Sequence, residues 1–424
     1  MKKLFKIQLK STCINYIIVV YNCQWENKKL LEIFRVNKNG KMVFDTGVKK
    51  LLKKATNIEL KKINRNNIYR TLIENKVLSK QEIAYRLQIS VPTVTQNVNE
   101  LMEEGLVEET GEFASTGGRK PKMISSIPGA RVALGLDITK NHVNLLAVDL
   151  ETNVLDSVRR RIPFEDKKEY YQLLADMIDR MAEKLQTVPE HILGIGISVP
   201  AIVGGEDNFE IQSSLLTAVS SLYRELSAYL KYSCHFINDA NAGGFAELYL
   251  KKIRRTTLYL SLSNSVGGAV ITDGKINPGY HNRSGEFGHM TLIPGGRKCY
   301  CGQNGCVDTY CSALILANET DGNLKEFFAQ LEKGNERIKA VWDEYLDYLA
   351  IVVNNLNVCY DCDIILGGYV GEYMEPYIED IRNRVKSRCM FQTDATYLHS
   401  SRLKAEAAAF GAALYYISEF INKV

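Results

Sequence analysis

The chain has 424 residues, enough for two or three domains, and its hydrophobic content of 46% and charged content of 24% are typical of a soluble globular protein. Its net charge of +4 is too small to indicate nucleic-acid binding by itself, so charge has to be considered region by region. No run of residues approaches the roughly 20 apolar positions of a transmembrane helix, and we therefore expect no membrane partner.

Residues 1–55 form an N-terminal extension to which we assign no function. Its opening, MKKLFKIQLKSTCINYIIVVYNC, could be mistaken for a signal peptide, but its apolar run covers only Ile17 to Tyr21. No small-residue cleavage site follows that run. The segment therefore does not fit a secretory signal.

Residues 56–127 predict a winged helix-turn-helix domain. Ser79 and Glu82 form a capping box that begins the second of three helices. Ser90 caps the third helix, which has Pro92 in its first turn. A helix, a short turn and a further helix make the helix-turn-helix geometry, in which the later helix enters the major groove of DNA.

The third helix has two different faces. Its apolar face carries Val94, Val98, Leu101 and Met102. The opposite face is uncharged and rich in hydrogen-bonding groups, and it carries Pro92, Thr93, Gln96 and Asn99. We predict that these four residues contact DNA. The alternative is a three-helix module that binds proteins.

The segment after the third helix predicts a wing with strands at 106–109 and 123–126. Between them, a Gly-Gly pair precedes Arg119 and Lys120. The glycines would let the backbone lie deep in a narrow groove, where the two basic side chains meet its negative potential. We therefore predict that Arg119 and Lys120 bind the minor groove. The alternative is a solvated charged loop.

The pattern then changes to strands that alternate with helices, which predicts an α/β domain over residues 128–424. Its first predicted elements are strands at 132–137 and 143–150, a helix at 167–185 and a buried strand at 192–199. The domain contains most of the features that indicate a binding site.

Residues 285–312, GEFGHMTLIPGGRKCYCGQNGCVDTYCS, predict a structural metal site. The imidazole and thiolate set that tetrahedral Zn²⁺ prefers is supplied by His289, Cys299, Cys301 and Cys306. Gly302 and Gly305 would allow the backbone to curl back and deliver the last cysteine. Four protein ligands leave no open coordination position, so zinc would hold the loop and would not activate water. The alternative is a set of buried reduced cysteines beside a hydrogen-bonded histidine.

The chain has ten cysteines, and their spacing is not that of a disulfide framework. This usage favours the reducing cytoplasm. Cys359 and Cys362 form a second close pair between a predicted helix and an apolar strand. We interpret them as packing residues, with a redox or metal pair as the alternative.

The metal loop closely resembles the signature of the ROK family, which comprises repressors, open reading frames and sugar kinases. In that family Gly-Glu-x-Gly-His leads into Cys-x-Cys-Gly-x-x-Gly-Cys, and both parts are present here. The resemblance extends from about Asn64 to the C-terminus. It implies an actin-like fold of two α/β lobes around a cleft. ROK regulators also carry a winged helix-turn-helix followed by Gly-Gly-Arg, as this chain does.

The resemblance further implies a sugar site in the cleft. Asn238 and Asp239 match the family motif Asn-Asp-Ala-Asn, and Asp239 has the position of the base in family kinases. Glu286 and His289 carry over from Gly-Glu-x-Gly-His, and Asp308 stands where the family has glutamate. Planar carboxylates suit vicinal sugar hydroxyls because each can accept from two donors, and a zinc-bound histidine can offer its other ring nitrogen to the sugar. The alternative for any single acid is a helix cap or a surface charge.

Two loops differ from the phosphate-binding loops of family kinases, which read Asp-x-Gly-Gly-Thr and Gly-Thr-Gly-x-Gly-Gly. The aligned segments here are Asp137-Ile-Thr-Lys-Asn141 and Ser263-Asn-Ser-Val-Gly267-Gly268. Glycines that would let backbone amides approach the phosphates are replaced. We therefore predict that the chain does not bind ATP, has no catalytic residue and is not an enzyme.

Together these features predict a cytoplasmic transcriptional regulator that resembles the xylose-repressor type of the ROK family. It would repress a carbohydrate-utilisation operon until a sugar inducer releases it from operator DNA. Because helix-turn-helix half-sites are normally paired across a two-fold axis, we expect a homodimer or a higher homo-oligomer. The rival interpretation is an ATP-dependent sugar kinase with an accessory DNA-binding head. A purely structural interaction protein is a third possibility.

Overall fold

The computed structural model describes residues 16–20, 31–36, 42–44, 57–112, 121–204, 210–213, 215–216, 222–389, 394–403 and 406–424. Three strands lie in the N-terminal extension and pair antiparallel in the order β1-β2-β3: β1 (Tyr16–Val20), β2 (Leu31–Val36) and β3 (Met42–Phe44). No pattern identified in the sequence predicts these strands. Among the described residues, no helix is both long enough and apolar enough to cross a membrane.

The winged helix domain follows the extension. Its elements are α1 (Asn57–Asn75), β4 (Val77–Leu78), α2 (Lys80–Leu87), α3 (Val91–Glu103), β5 (Val107–Glu112) and β6 (Lys122–Ser126). The three strands form an antiparallel sheet in the order β4-β6-β5, so the predicted wing also pairs with β4, a strand that sequence analysis missed. The predicted helix-turn-helix architecture is confirmed.

Local hydrogen bonds explain where α2 and α3 begin. The Glu82 backbone N–H donates to Ser79 Oγ, and the Ser79 N–H donates to the Glu82 carboxylate at 2.7 Å, which completes the predicted capping box. At α3, the Thr93 N–H donates to Ser90 Oγ at 3.2 Å. Val94 and Val98 are fully buried. The cap and the apolar face together fix the orientation of α3.

The body contains two five-stranded sheets, in the orders β13-β10-β7-β8-β9 and β16-β15-β14-β17-β18. The strands of the first sheet are β7 (Val132–Ile138), β8 (Val143–Asp149), β9 (Val154–Arg160), β10 (Ile192–Val199) and β13 (Cys234–Asn238). Those of the second are β14 (Thr257–Leu262), β15 (Val266–Thr272), β16 (Lys275–Ile276), β17 (Asp363–Gly367) and β18 (Leu398–Ser400). The remaining pair is β11 (Ile202–Gly204) with β12 (Glu210–Gln212).

Both sheets have the same topology. In each sheet, three consecutive strands pair antiparallel, and the first of them also pairs parallel with the next strand of the sheet. The shared strand is β7 in the first sheet and β14 in the second, and each belongs to a run of three parallel strands. Every residue of β7 and β8 is buried, as expected for strands covered on both faces. The predicted actin-like fold of two α/β lobes is confirmed.

Helices cover the sheets. They are α4 (Lys168–Lys184), α5 (Leu222–Tyr229), α6 (Asp239–Lys251), α7 (Asp308–Cys311), α8 (Ala313–Ala317), α9 (Leu324–Glu332), α10 (Glu336–Tyr360), α11 (Gly368–Gly371), α12 (Ile378–Lys386) and α13 (Ala407–Lys423). Helix α4 packs on one face of the first sheet, and α13 packs on the other. The contact with α13 requires glycine, because a Cβ at Gly135 or Gly196 would lie 2.0 or 1.9 Å from a carbonyl oxygen of α13.

The winged helix domain shares a core with the first lobe. That core joins α1, α2 and α3 to α6 and α13, and includes Ile68, Leu72, Ile83, Val98, Ala246, Phe410, Ile417 and Ile421. Three polar contacts also join α1 to the body: Asn66 donates to the Ile421 carbonyl, Arg70 donates to the Asn422 side chain, and Lys252 pairs with Glu74. The winged helix domain is therefore held against the ends of α6 and α13 by both apolar packing and polar contacts.

Candidate functional site

The predicted metal ligands are brought together. The ligand atoms of His289, Cys299, Cys301 and Cys306 all lie within 4.8 Å of one another. The Sγ atoms of Cys301 and Cys306 are 3.7 Å apart, and Cys299 Sγ is 3.9 Å from His289 Nδ1. Two thiolates bound to one tetrahedral zinc, with Zn–S bonds of about 2.3 Å, would be roughly 3.8 Å apart. The cluster could therefore hold a metal ion.

Tight turns build this cluster. Gly302 and Gly305 have φ values of 90° and 82°, which favour glycine. A Cβ at Gly305 would lie 1.7 Å from the carbonyl oxygen of Ile293. The predicted role of these two glycines is confirmed.

The cysteines of the cluster would have to lose protons to bind a metal. Burial raises the pKa of the Cys299 thiol to about 12, and it also raises the pKa of the Cys306 thiol. Without a cation, these sulfurs would remain protonated thiols near neutral pH. A bound metal would hold them as thiolates and release their protons.

Asn238 and Asp239 lie where β13 ends and α6 begins. Asn238 Oδ1 caps α6 by accepting from the Asn241 N–H at 2.9 Å, and Asn238 Nδ2 donates to the Ala201 carbonyl at 3.1 Å. The Asn238 side chain therefore has a structural role in addition to any contact with a sugar. The Asp239 carboxylate accepts from the Ala240 N–H at 2.9 Å.

Acidic side chains lie close together around Asp239, and Asp137 among them is buried. Burial raises the pKa of Asp239 to about 7, and the nearby carboxylates of Asp137 and Glu286 contribute to this shift. Burial also raises the pKa of Asp137 to about 6, although the Ser198 hydroxyl donates to it at 2.6 Å. Such perturbed acids in a cleft are typical of functional sites.

Glu286 and Asp308 lie beside His289. Glu286 Oε2 is 3.9 Å from His289 Nε2. Asp308 Oδ1 accepts from the Val266 N–H at 2.6 Å, which uses part of its acceptor capacity. Burial raises the pKa of both carboxyls, whereas the His289 ring lowers both. The structure thus places Asp239, Glu286, His289 and Asp308 in one electrostatically coupled group.

Tyr300, which sequence analysis did not single out, also belongs to this group. Its hydroxyl is 3.4 Å from His289 Nε2. Burial raises the pKa of Tyr300, and the carboxylates of Asp308, Glu286 and Asp239 add to the shift. Its position between two cysteines of the predicted metal cluster was the one feature of the sequence that could have placed it near this site.

A cavity of about 230 Å³ lies between the lobes. Its described lining includes Asp239 but none of the other four residues predicted to bind sugar. It also includes Thr139, Lys140, Ser263 and Ser265, which are predicted to stand where family kinases have phosphate-binding glycines. The cavity therefore extends from Asp239 towards the two segments that contain these residues.

The glycine pair Gly367-Gly368 is explained by packing. A Cβ at Gly367 would lie 2.3 Å from the Tyr259 ring. The Gly368 N–H donates to the Tyr259 hydroxyl at 3.2 Å. The pair accommodates Tyr259 and does not by itself indicate a nucleotide site.

The four predicted DNA-contacting residues of α3 lie opposite its buried face. Pro92, Gln96 and Asn99 are exposed, and Thr93 is half-buried. Gln96 Nε2 is 3.3 Å from a Glu100 carboxylate oxygen, and this contact would have to be exchanged on binding a base. The predicted minor-groove residues Arg119 and Lys120 lie outside the described residues.

The second close cysteine pair shows no disulfide. Cys359 is exposed near the end of α10, Cys362 is half-buried, and both thiols are free. Cys362 packs against the apolar core of the second lobe, whereas Cys359 is exposed, so the packing interpretation is confirmed for Cys362 and wrong for Cys359.

Comparisons with known proteins match this organisation. The ROK family matches residues 133–419, and a winged helix-turn-helix DNA-binding family matches residues 62–108. The xylose repressor of Bacillus subtilis (strain 168) is 27% identical over 375 residues, which cover 86% of this chain and 97% of the repressor.

Two solved structures share the fold. The crystal structure of a ROK family transcriptional regulator, described as a homologue of the E. coli MLC protein, has a TM-score of 0.65 at 18% identity and covers 86% of this chain and 97% of its own. The ROK hexokinase from Thermus thermophilus has a TM-score of 0.56 at 25% identity and covers 68% of this chain and 99% of its own. The regulator alignment includes most of the chain, whereas the hexokinase alignment leaves about a third unmatched.

Proposed function

Because the chain belongs to the ROK family and carries a winged helix-turn-helix DNA-binding domain, we propose that it represses a carbohydrate-utilisation operon and leaves operator DNA when a sugar inducer binds. A relative named xylose repressor matches 86% of this chain over 97% of its own length, which makes xylose the first inducer to test. A protein that binds chromosomal DNA would work in the cytoplasm.

The observation that carries this proposal is the packing of the DNA-binding domain against two helices that begin at the cleft. Helix α6 begins at Asp239, and α13 begins at Ala407, which also lines the cavity. Both end at α1, where they share its core. We call α6 and α13 the connecting helices.

The connecting helices are packed tightly against each other. A Cβ at Gly411 of α13 would lie 1.8 Å from the carbonyl oxygen of Ala242 in α6, so the two backbones are in direct contact. A movement at the N-terminus of either helix would be transmitted to the other. Sugar binding at Asp239 would thereby alter the position of the winged helix domain. The sugar would lower DNA affinity by binding more tightly to the arrangement of the domains that does not fit the operator.

The sugar would be held by Asn238, Asp239, Glu286, His289 and Asp308. Each of the three acids can accept hydrogen bonds from sugar hydroxyls when it is ionised. Their raised pKa values also allow a protonated carboxyl to donate a hydrogen bond. Zn²⁺ is the metal proposed for the adjacent cluster, because one imidazole and three thiols are its preferred donor set. Zinc would supply no chemistry there and would hold His289 in place beside the sugar.

Operator DNA would be contacted by Pro92, Thr93, Gln96 and Asn99 in the major groove and by Arg119 and Lys120 in the minor groove. Two winged helix domains in a homodimer would read paired half-sites. The proposed domains are residues 1–55, 56–127 and 128–424. The altered loops at 137–141 and 263–268 support the absence of kinase activity.

A second function, ATP-dependent sugar phosphorylation, is favoured by the similarity to the ROK hexokinase from Thermus thermophilus. The family resemblance also gives Asp239 the position of the kinase base. A coupled assay with ATP across a sugar panel distinguishes the two functions. We expect background rates. Turnover that disappears in Asp239→Asn would instead establish a kinase.

The direct test of the proposed function is a mobility-shift assay on the promoter DNA next to the chain's own gene. We expect specific binding, with release by one sugar of a panel that includes D-xylose and D-glucose. Failure to bind DNA at all, or binding that no sugar changes, would contradict the proposal.

A further inference from the structure

We infer that Tyr300 is a specificity-determining residue of the sugar site and restricts it to small sugars without a bulky substituent. This inference rests on the proposed function, because it assumes that the inducer binds at His289 and the neighbouring acids. It concerns a residue outside the sugar-ligand set and gives the class of sugar that the site would accept.

Tyr300 is held at a fixed point beside the sugar site. It lies between Cys299 and Cys301, and both cysteines belong to the metal cluster. Cys299 is only 2% exposed, and its N–H donates to the Gln303 carbonyl at 2.8 Å. The buried Cys299 therefore fixes the backbone on the N-terminal side of Tyr300.

The Tyr300 hydroxyl occupies a hydrogen-bonding position that a sugar hydroxyl would need. It is 3.4 Å from His289 Nε2, while His289 Nδ1 faces the metal cluster. Nε2 is therefore the ring nitrogen left for a ligand. Glu286 Oε2 lies 3.9 Å from the same ring nitrogen, so the Tyr300 hydroxyl borders the proposed group of sugar ligands.

The ring of Tyr300 limits the space on this side of the site. It stands edge-on to the His289 ring, with 5.3 Å between the ring centroids and an interplanar angle of 74°. The residue is 43% exposed, so it is not a fully packed core side chain whose loss would leave a closed cavity. A small sugar could replace the hydroxyl at Nε2, whereas a sugar with an acetamido group would meet the ring.

The test is calorimetric titration of the zinc-loaded full-length protein with D-xylose, D-glucose and N-acetyl-D-glucosamine. We expect wild type to bind at least one of the first two sugars ten times more tightly than N-acetyl-D-glucosamine. Tyr300→Ala should reduce that ratio at least tenfold by admitting the acetamido sugar. Tyr300→Phe should retain the wild-type ratio because the ring remains.

Tyr85→Ala is a matched control, since it removes a tyrosine that is 79% exposed on α2 of the winged helix domain. It should leave the ratio unchanged. The zinc content of each variant is measured in parallel, and Tyr300→Ser replaces Tyr300→Ala if the latter loses zinc. The role of Tyr300 would be overturned if Tyr300→Ala, or Tyr300→Ser in its place, kept the wild-type ratio of sugar affinities while Glu286→Gln abolished sugar binding. That outcome would leave the proposed function intact. Wild-type protein that binds none of the sugars would contradict both.

Discussion

Truncating Ile421 should disconnect the sugar site from DNA binding. The Ile421 side chain is 3% exposed and lies in the core that the connecting helices share with the winged helix domain. Replacing a buried isoleucine with alanine typically costs about 2–5 kcal/mol, because apolar contacts are lost and a cavity remains. Coupling between two ligand sites is typically about 1–3 kcal/mol. Loss of this packing is therefore large enough to remove most of the coupling.

The assay compares the operator Kd with and without saturating inducer. If the wild-type coupling is typical, the inducer weakens operator binding roughly 5- to 150-fold, and Ile421→Ala should bring this factor close to one. Sugar affinity measured by calorimetry should change little, because Ile421 lies at the opposite end of α13 from Ala407, which lines the cavity.

Ile178→Ala controls for a general loss of stability. Ile178 is 1% exposed and packs from α4 on the opposite face of the first sheet. It should lose a similar free energy of unfolding and yet keep the wild-type response to sugar. A normal response in Ile421→Ala, with stability reduced as expected, would refute transmission through this contact.

Three further outcomes are expected. Protein prepared without added zinc should contain about one equivalent of metal per chain, and Cys306→Ser should lose it together with much of the fold; a well-folded metal-free wild type would contradict the metal site. Burial raises the pKa of Asp239 from 3.8 to about 7, so between these pH values the folded chain retains a proton that the unfolded chain releases. The contribution of Asp239 to the free energy of unfolding is complete below pH 3.8 and is lost as the pH rises through about 7. The urea midpoint should accordingly fall between pH 4 and 7, and Asp239→Asn should reduce that dependence; an identical pH profile in the variant would disprove the assignment. Gln96→Ala should weaken specific operator binding by about 1–3 kcal/mol if Gln96 makes a good base contact, and sugar affinity should stay constant. If affinity for operator DNA and for unrelated DNA falls equally, Gln96 does not read bases.

Features with local causes were predictable from the sequence. The capping box at Ser79 depends on residues three positions apart, and the metal cluster depends on glycines that turn one short loop. The strand at 192–199 was predicted with the bounds observed, because a continuous apolar run between turns is typical of a buried strand.

Features that depend on distant residues were not predictable. The contact between Tyr300 and His289 requires the orientation of two side chains in the folded loop. The hydrogen bond from Asn238 Nδ2 to the Ala201 carbonyl joins residues 37 positions apart. The attachment of Asn66 to the carbonyl of Ile421 joins residues 355 positions apart, and no periodic pattern in either helix indicates the partner.

The most direct test of the central claim is sugar-driven release from operator DNA in Glu286→Gln. Glu286 lies 3.9 Å from His289 within the proposed sugar site. It belongs to the ROK domain, whereas the predicted DNA-contacting face of α3 belongs to the winged helix domain. Glu169→Gln, an equivalent change in the first turn of α4, is the matched control. We predict that both variants bind the operator like wild type, that the control is released by the inducer, and that Glu286→Gln is not. Equal release of wild type and Glu286→Gln by the same sugar concentration would contradict the account.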